Sequence, residues 1–97
     1  MKAKEARERY LPQLYSIQKN LEQALQEELQ KIKESGMKSP EAYYYPARLK
    51  FILREVNELI DTLNLYDDDF ELSESEIKIK IEIIYGEIAD LSLISYK

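Results

Sequence analysis

The densest group of side chains that could do chemistry is a run of carboxylates, Asp67, Asp68 and Asp69, followed by Glu71. Carboxylate oxygens suit Mg²⁺ or Ca²⁺, but this stretch lacks the glycine turn and the twelfth-position glutamate of a calcium loop. The pattern is therefore unspecific. We expect a solvated acidic loop here, with no bound metal and no other cofactor.

The sequence contains no histidine and no cysteine. Histidine is the commonest general base and the commonest transition-metal ligand, so carboxylates, Lys, Tyr and Ser are left as candidates for catalysis. The two glycines are too few for a glycine-rich phosphate loop, and no serine has a base partner recognisable from the sequence. We expect that the protein is not an enzyme and binds no small molecule.

Aromatic and basic residues are interleaved around position 48. We call this set the aromatic-basic surface; its members are Tyr43, Tyr44, Arg48, Lys50, Phe51 and Arg54. Such residues can stack on nucleobases while they neutralise phosphates, and they are also enriched at the centre of protein interfaces. Three interpretations stay open: an ordinary surface beside an inward-packed Tyr45, a protein contact, or a nucleic-acid contact. Four N-terminal bases add little to the last, because Glu5 and Glu8 offset them.

The net charge of −5 is unevenly distributed. Residues 1–54 carry eleven bases and seven acids, whereas residues 55–97 carry three bases and twelve acids. Such asymmetry is typical of an anion-binding end beside an acidic end, or of two complementary surfaces for self-association, if it is not simply solvation. The acidic second half argues against a general binder of polyanions.

Two segments that position these residues have helical periodicity. In the first, apolar residues recur on one face over about 3–34, and Ser35-Gly36 is a typical helix end. Pro12 lies nearly opposite this face, which predicts a kink that leaves the inner face intact. The second helix is predicted over about 40–64, because Ser39-Pro40-Glu41 is a helix-start signal.

The third segment is ambiguous. Residues 76–83 alternate as a strand does, and isoleucine favours strands. Against that, Ile77, Ile81, Ile84, Ile88 and Leu91 form a helical stripe, and Ser73 with Glu76 has the spacing of a capping box. We favour a helix over about 74–95.

These elements predict an all-α fold, a three-helix antiparallel bundle with a long kinked first helix, in a single domain of residues 1–97. About eight residues before Pro12 are expected to overhang the bundle. The alternative is an α+β fold with two helices and a C-terminal β-hairpin.

A second apolar line on the third helix suggests the function. Ile79, Ile83 and Ile94 lie roughly opposite its main stripe, and a helix that is apolar on two sides needs partners on two sides. We expect a homodimer with this line as the interface, and hence an adaptor or assembly protein that also contacts other proteins. The alternative is a nucleic-acid-associated regulator that uses the aromatic-basic surface. Without a signal peptide or a membrane span in the sequence, a cytoplasmic location is expected.

Overall fold

The first helix, α1, spans Ala3–Ser35 in the computed structural model, which describes residues 1–36 and 39–94 and side chains as far as Leu91. Pro12 lies inside α1 on its exposed side and does not end the helix. The helix stops at Gly36, whose φ of 67° is left-handed and whose N–H donates to the carbonyl of Ile32 at 3.1 Å. Glycine fits here because it adopts this conformation without a steric penalty.

The second predicted helix is divided in two. A short 3-10 turn covers Pro40–Tyr43, and α2 covers Tyr44–Leu65. Ser39 caps the turn by accepting a hydrogen bond from the N–H of Glu41 at 3.3 Å. Pro46 has no N–H to offer to the carbonyl of Ala42, which explains why α-helical bonding starts only after the turn.

The third helix, α3, spans Glu74–Ile94, so the helical prediction is confirmed and the hairpin alternative is wrong. Ser73 caps it, accepting a hydrogen bond from the N–H of Glu76 at 3.4 Å. Glu74 pairs with Lys78 one turn later at 3.4 Å. These local interactions favour a helix over the strand that the alternating isoleucines would otherwise permit.

The three helices form the predicted antiparallel bundle. Gln18 of α1 bonds Asn57 of α2 at 2.6 Å, and Tyr15 bonds Asn64 at 3.4 Å, so α1 and α2 run in opposite directions. α3 runs alongside α1, with its start near Tyr10. The buried core draws on all three helices: Ala6, Tyr10, Leu14, Ile17, Leu21, Leu49, Ile52, Val56, Leu59, Ile60, Leu63, Ile77, Ile81, Ile84 and Leu91.

The start of α1 is paired with the connector between α2 and α3. The N–H of Ala3 donates to the carbonyl of Phe70 at 2.8 Å, and the N–H of Leu72 donates to the carbonyl of Met1 at 2.7 Å. The ring of Phe70 stacks on Tyr66 with centroids 4.4 Å apart. We call this pairing the N-terminal clamp. The residues before Pro12 therefore do not overhang the bundle, because the connector folds back onto them.

Candidate interaction surface

The alternating isoleucines at the start of α3 are divided between core and surface. Ile77 and Ile81 are each 6% exposed, whereas Ile79 is 55% and Ile83 is 51% exposed. A helix turns about 100° per residue, so residues two apart along the chain point in nearly opposite directions. Two of the three residues predicted for an interface therefore lie on the exposed side of α3. The side chain of the third, Ile94, lies outside the described residues.

Ile83 also lines a groove between α2 and α3. The groove has a volume of about 220 Å³, and its walls are Glu55, Glu58, Leu59, Lys80, Ile83 and Ile84. Small-molecule sites usually measure about 300–1,000 Å³, so this groove is closer to the size of a side chain than of a substrate. A partner residue inserted here would contact apolar groups at the base and charged groups at the rim.

The carboxyl group of Glu55, in the wall of this groove, has a raised pKa. Partial burial raises its pKa, and the nearby carboxyl of Glu87 raises it further by charge repulsion and a hydrogen bond, while Arg48 opposes the shift. One carboxylate oxygen of Glu87 is buried without a hydrogen-bond partner among the described residues. The ionised form of Glu55 is therefore disfavoured, and this part of the groove favours a proton or an added cation.

The aromatic-basic surface borders the same groove. The guanidinium of Arg48 lies 5.5 Å from the centre of the Phe51 ring, and Arg54 pairs with Glu58 of the groove wall at 3.5 Å. Phe51, Tyr43 and Tyr44 are exposed, as is Lys50, while Tyr45 is partly buried against the core. The structure thus brings part of this surface next to Ile83, which the sequence pattern did not indicate.

The charges at the start of α1 are neutralised within the molecule. Lys2 pairs with Asp69 at 3.6 Å, Arg7 with Asp68, and Arg9 with Glu74 at 3.0 Å. The hydroxyl of Tyr10 also donates to Glu74, and this bond is the main reason why the pKa of Glu74 is lowered. The acidic connector, predicted as a solvated loop, is therefore a partner for the basic N-terminus. The complementary charges of the two segments were the signal that could have indicated it.

A second groove, of about 420 Å³, lies where α3 approaches the middle of α1. Its walls are Ile17, Asn20, Leu21, Ala24, Tyr45, Leu49, Tyr85, Ile88 and Leu91. The polar side chains among them are Asn20 and the two tyrosines, so the groove provides no charged anchor for a ligand. It can accommodate an apolar side chain.

The carboxylates do not assemble into a metal site within the part of the chain that the structure describes. None of the helices, in the same residues, is long and apolar enough to cross a membrane. Comparisons with known protein families, curated proteins and solved structures found no match to this chain.

Proposed function

We propose that this protein is a non-enzymatic helical interaction protein, an adaptor or assembly factor that self-associates through the exposed side of α3 in the cytoplasm. The observation that carries the proposal is the exposure of Ile79 and Ile83 on a helix whose other face already closes the core. An exposed pair of large apolar side chains beside a groove is typical of a docking surface.

The free energy available at these two residues is appreciable. Burying an isoleucine fully contributes about 1.5–2 kcal/mol, and each of the two is about half covered already. Covering them would therefore add about 2 kcal/mol per subunit, or about 4 kcal/mol in a symmetric pair. A micromolar dimer needs about 8 kcal/mol, so further contacts have to contribute. Phe51 and Tyr44 of α2 are exposed aromatic residues of the kind that supply such contacts.

The alternative is a nucleic-acid-associated regulator that binds through the aromatic-basic surface. Its support is the exposure of Tyr43, Tyr44 and Phe51 beside bases. Against it, Arg54 is paired with Glu58, Arg48 lies near the carboxyl of Glu55, and the N-terminal bases Lys2, Arg7 and Arg9 are paired with acids. Phosphate binding requires cations that are free to replace counterions. The surface therefore favours protein contact.

Sedimentation equilibrium at micromolar concentration tests the proposal. We expect the wild-type protein to have the mass of a dimer and the double variant Ile79→Lys/Ile83→Lys to have that of a monomer. Leu29→Lys is the matched control, because Leu29 is also an exposed apolar residue but lies on α1, and this variant should still dimerise. A wild-type protein that is monomeric throughout would refute self-association.

Binding of nucleic acid at low salt, measured by gel shift, tests the alternative. Binding that weakens steeply with salt in the wild type, and that disappears in Arg48→Ala/Arg54→Ala, would favour the regulator.

A further inference from the structure

The exposed sides of α2 and α3 form one continuous surface, which we call the outer face. Glu55 and Glu58 of α2 share the groove with Lys80 and Ile83 of α3. Arg54 reaches Glu58 from the preceding turn. The isoleucines of α3 and the aromatic-basic surface of α2 therefore belong to the same side of the bundle.

The two ends of the outer face differ in charge. Because α2 and α3 are antiparallel, the first half of α2 lies at the same end as the last part of α3. At this end, residues 44–54 and 87–94 carry three bases and two acids, and one of these bases, Arg54, pairs with Glu58 of the other end. At the other end, residues 55–65 and 74–86 carry six acids and two bases. One of those bases, Lys78, pairs with Glu74, and the other, Lys80, lies in the groove beside Glu55 and Glu58.

The exposed large apolar side chains of the outer face are also divided between its basic end and its acidic end. Tyr44 and Phe51 lie at the basic end, seven residues apart and thus about 10 Å apart along the helix axis. Ile79 and Ile83 lie at the acidic end, about 6 Å apart along α3. The outer face therefore has aromatic rings among bases at one end and isoleucines among acids at the other.

We infer that the partner of the outer face is a second copy of this chain, placed antiparallel about a two-fold axis perpendicular to the bundle. The aromatic, basic end of each copy then packs on the isoleucine-bearing, acidic end of the other. The inference rests on the proposed self-association and specifies its geometry.

Two arguments favour this arrangement. A parallel pair would bring the two acidic ends together, and like charges across an interface are costly, whereas the antiparallel pair puts unlike ends in contact twice. A two-fold axis also closes the assembly. α2 and α3 are each about 32 Å long at 1.5 Å per residue, and the bundle is 20 Å wide. The outer face therefore offers on the order of 650 Å², which is comparable with the roughly 800 Å² that each partner buries in a standard interface.

Reversal of charge along α2 tests the inference. The first variant, Arg48→Glu/Arg54→Glu, makes the basic end acidic, and the second, Glu58→Lys/Asp61→Lys, gives the acidic end added bases. None of these four side chains belongs to the buried core, so the bundle should stay folded, as circular dichroism will check. Lys19→Glu/Lys33→Glu, at exposed positions of α1, is the control with the same change in net charge as the first variant.

We expect each α2 variant alone to raise the dimer dissociation constant at least about tenfold, while the control stays near the wild type. An equimolar mixture of the two α2 variants should form heterodimers of wild-type affinity, because both of its contacts again join unlike ends. The fourfold variant that carries all the α2 substitutions should dimerise by itself for the same reason.

Other outcomes overturn the inference in distinguishable ways. Tighter dimers of Glu58→Lys/Asp61→Lys would indicate a parallel pair whose acidic ends repel. Wild-type dimers that neither variant weakens would place the contact elsewhere and leave self-association standing. Wild-type assemblies larger than a dimer would indicate an open head-to-tail contact. A monomeric wild type would refute the proposed function itself.

Discussion

The side chain of Arg7 joins α1 to the end of α2 and to the connector. Its guanidinium donates to the carbonyl of Leu63 at 3.1 Å and to that of Tyr66 at 2.9 Å, and it pairs with Asp68. The last carbonyls of a helix have no partner within the helix and carry a partial negative charge. Arg7 therefore caps α2 from outside, and its side chain is only 20% exposed.

Arg7→Met keeps the aliphatic stem and removes the charge and the donors. Hydrogen bonds from a charged donor contribute about 1.5 kcal/mol or more each, whereas an ion pair to an exposed carboxylate such as Asp68 adds at most about 0.5 kcal/mol. We therefore expect the free energy of unfolding to fall by about 3 kcal/mol. In a protein of this size the melting temperature should fall by roughly 10–20 °C.

Urea unfolding followed by far-ultraviolet circular dichroism measures this loss, at one fixed protein concentration because self-association would add to stability. Arg9→Met is the matched control. Arg9 pairs with Glu74, but its side chain is 58% exposed, so its loss should cost much less than the loss of Arg7. Arg7→Lys keeps the charge without the two-pronged geometry and should recover part of the stability. Equal losses for Arg7→Met and Arg9→Met would refute the capping role.

Three further predictions concern stability, measured by the same titration below the concentration of self-association. Glu55 ionises near pH 4.5 when unfolded and at higher pH when folded, so stability should fall as pH rises above about 4.5. Glu55→Gln should remove that decline and stabilise the protein at neutral pH; identical pH profiles would contradict this. Gly86→Ala should stabilise α3 by about 0.5–1 kcal/mol, because a methyl group there meets open space, whereas Gly36→Ala should cost about 1 kcal/mol because of its positive φ. Effects of the same sign would count against this assignment. Ile84→Ala should cost about 2–5 kcal/mol and Ile83→Ala less than about 1 kcal/mol; equal costs would contradict the division of α3 into two faces.

The bundle itself could be predicted from the sequence because its determinants are local. The repeat of apolar residues and the breakers around Gly36 and Pro40 indicate α1 and the turn after it, and the observed end of α1 lies one residue from the predicted one. The exposure of Ile79 and Ile83 follows from the same periodicity once α3 is a helix. Only in α3 did strand and helix periods compete, and there the cap at Ser73 favoured the helix.

The features that the sequence did not predict depend on contacts between distant segments. The pairing of Phe70 and Leu72 with the start of α1 joins residues about 70 positions apart, and no local pattern specifies it. Likewise, the proximity of Glu55 to Glu87 depends on how α2 and α3 pack. Helical periodicity shows which face of a helix is apolar, but it does not show which flank of one helix meets which flank of another.

The N-terminal clamp also has a consequence for hydrogen exchange and for the order of folding. The first amides of a helix have no acceptor within it and usually exchange with solvent fastest, but those of Ala3 and Lys4 donate to the carbonyls of Phe70 and Asp68. Their exchange therefore requires the N-terminal clamp to open, and the clamp closes a loop of about 70 residues. The α1–α2 hairpin can form from nearer contacts, whereas closing this longer loop carries a larger entropy cost. We therefore expect the clamp to form last in folding, although it involves the first turn of the chain. Slow exchange of the Ala3 and Lys4 amides would show that the clamp is stably closed.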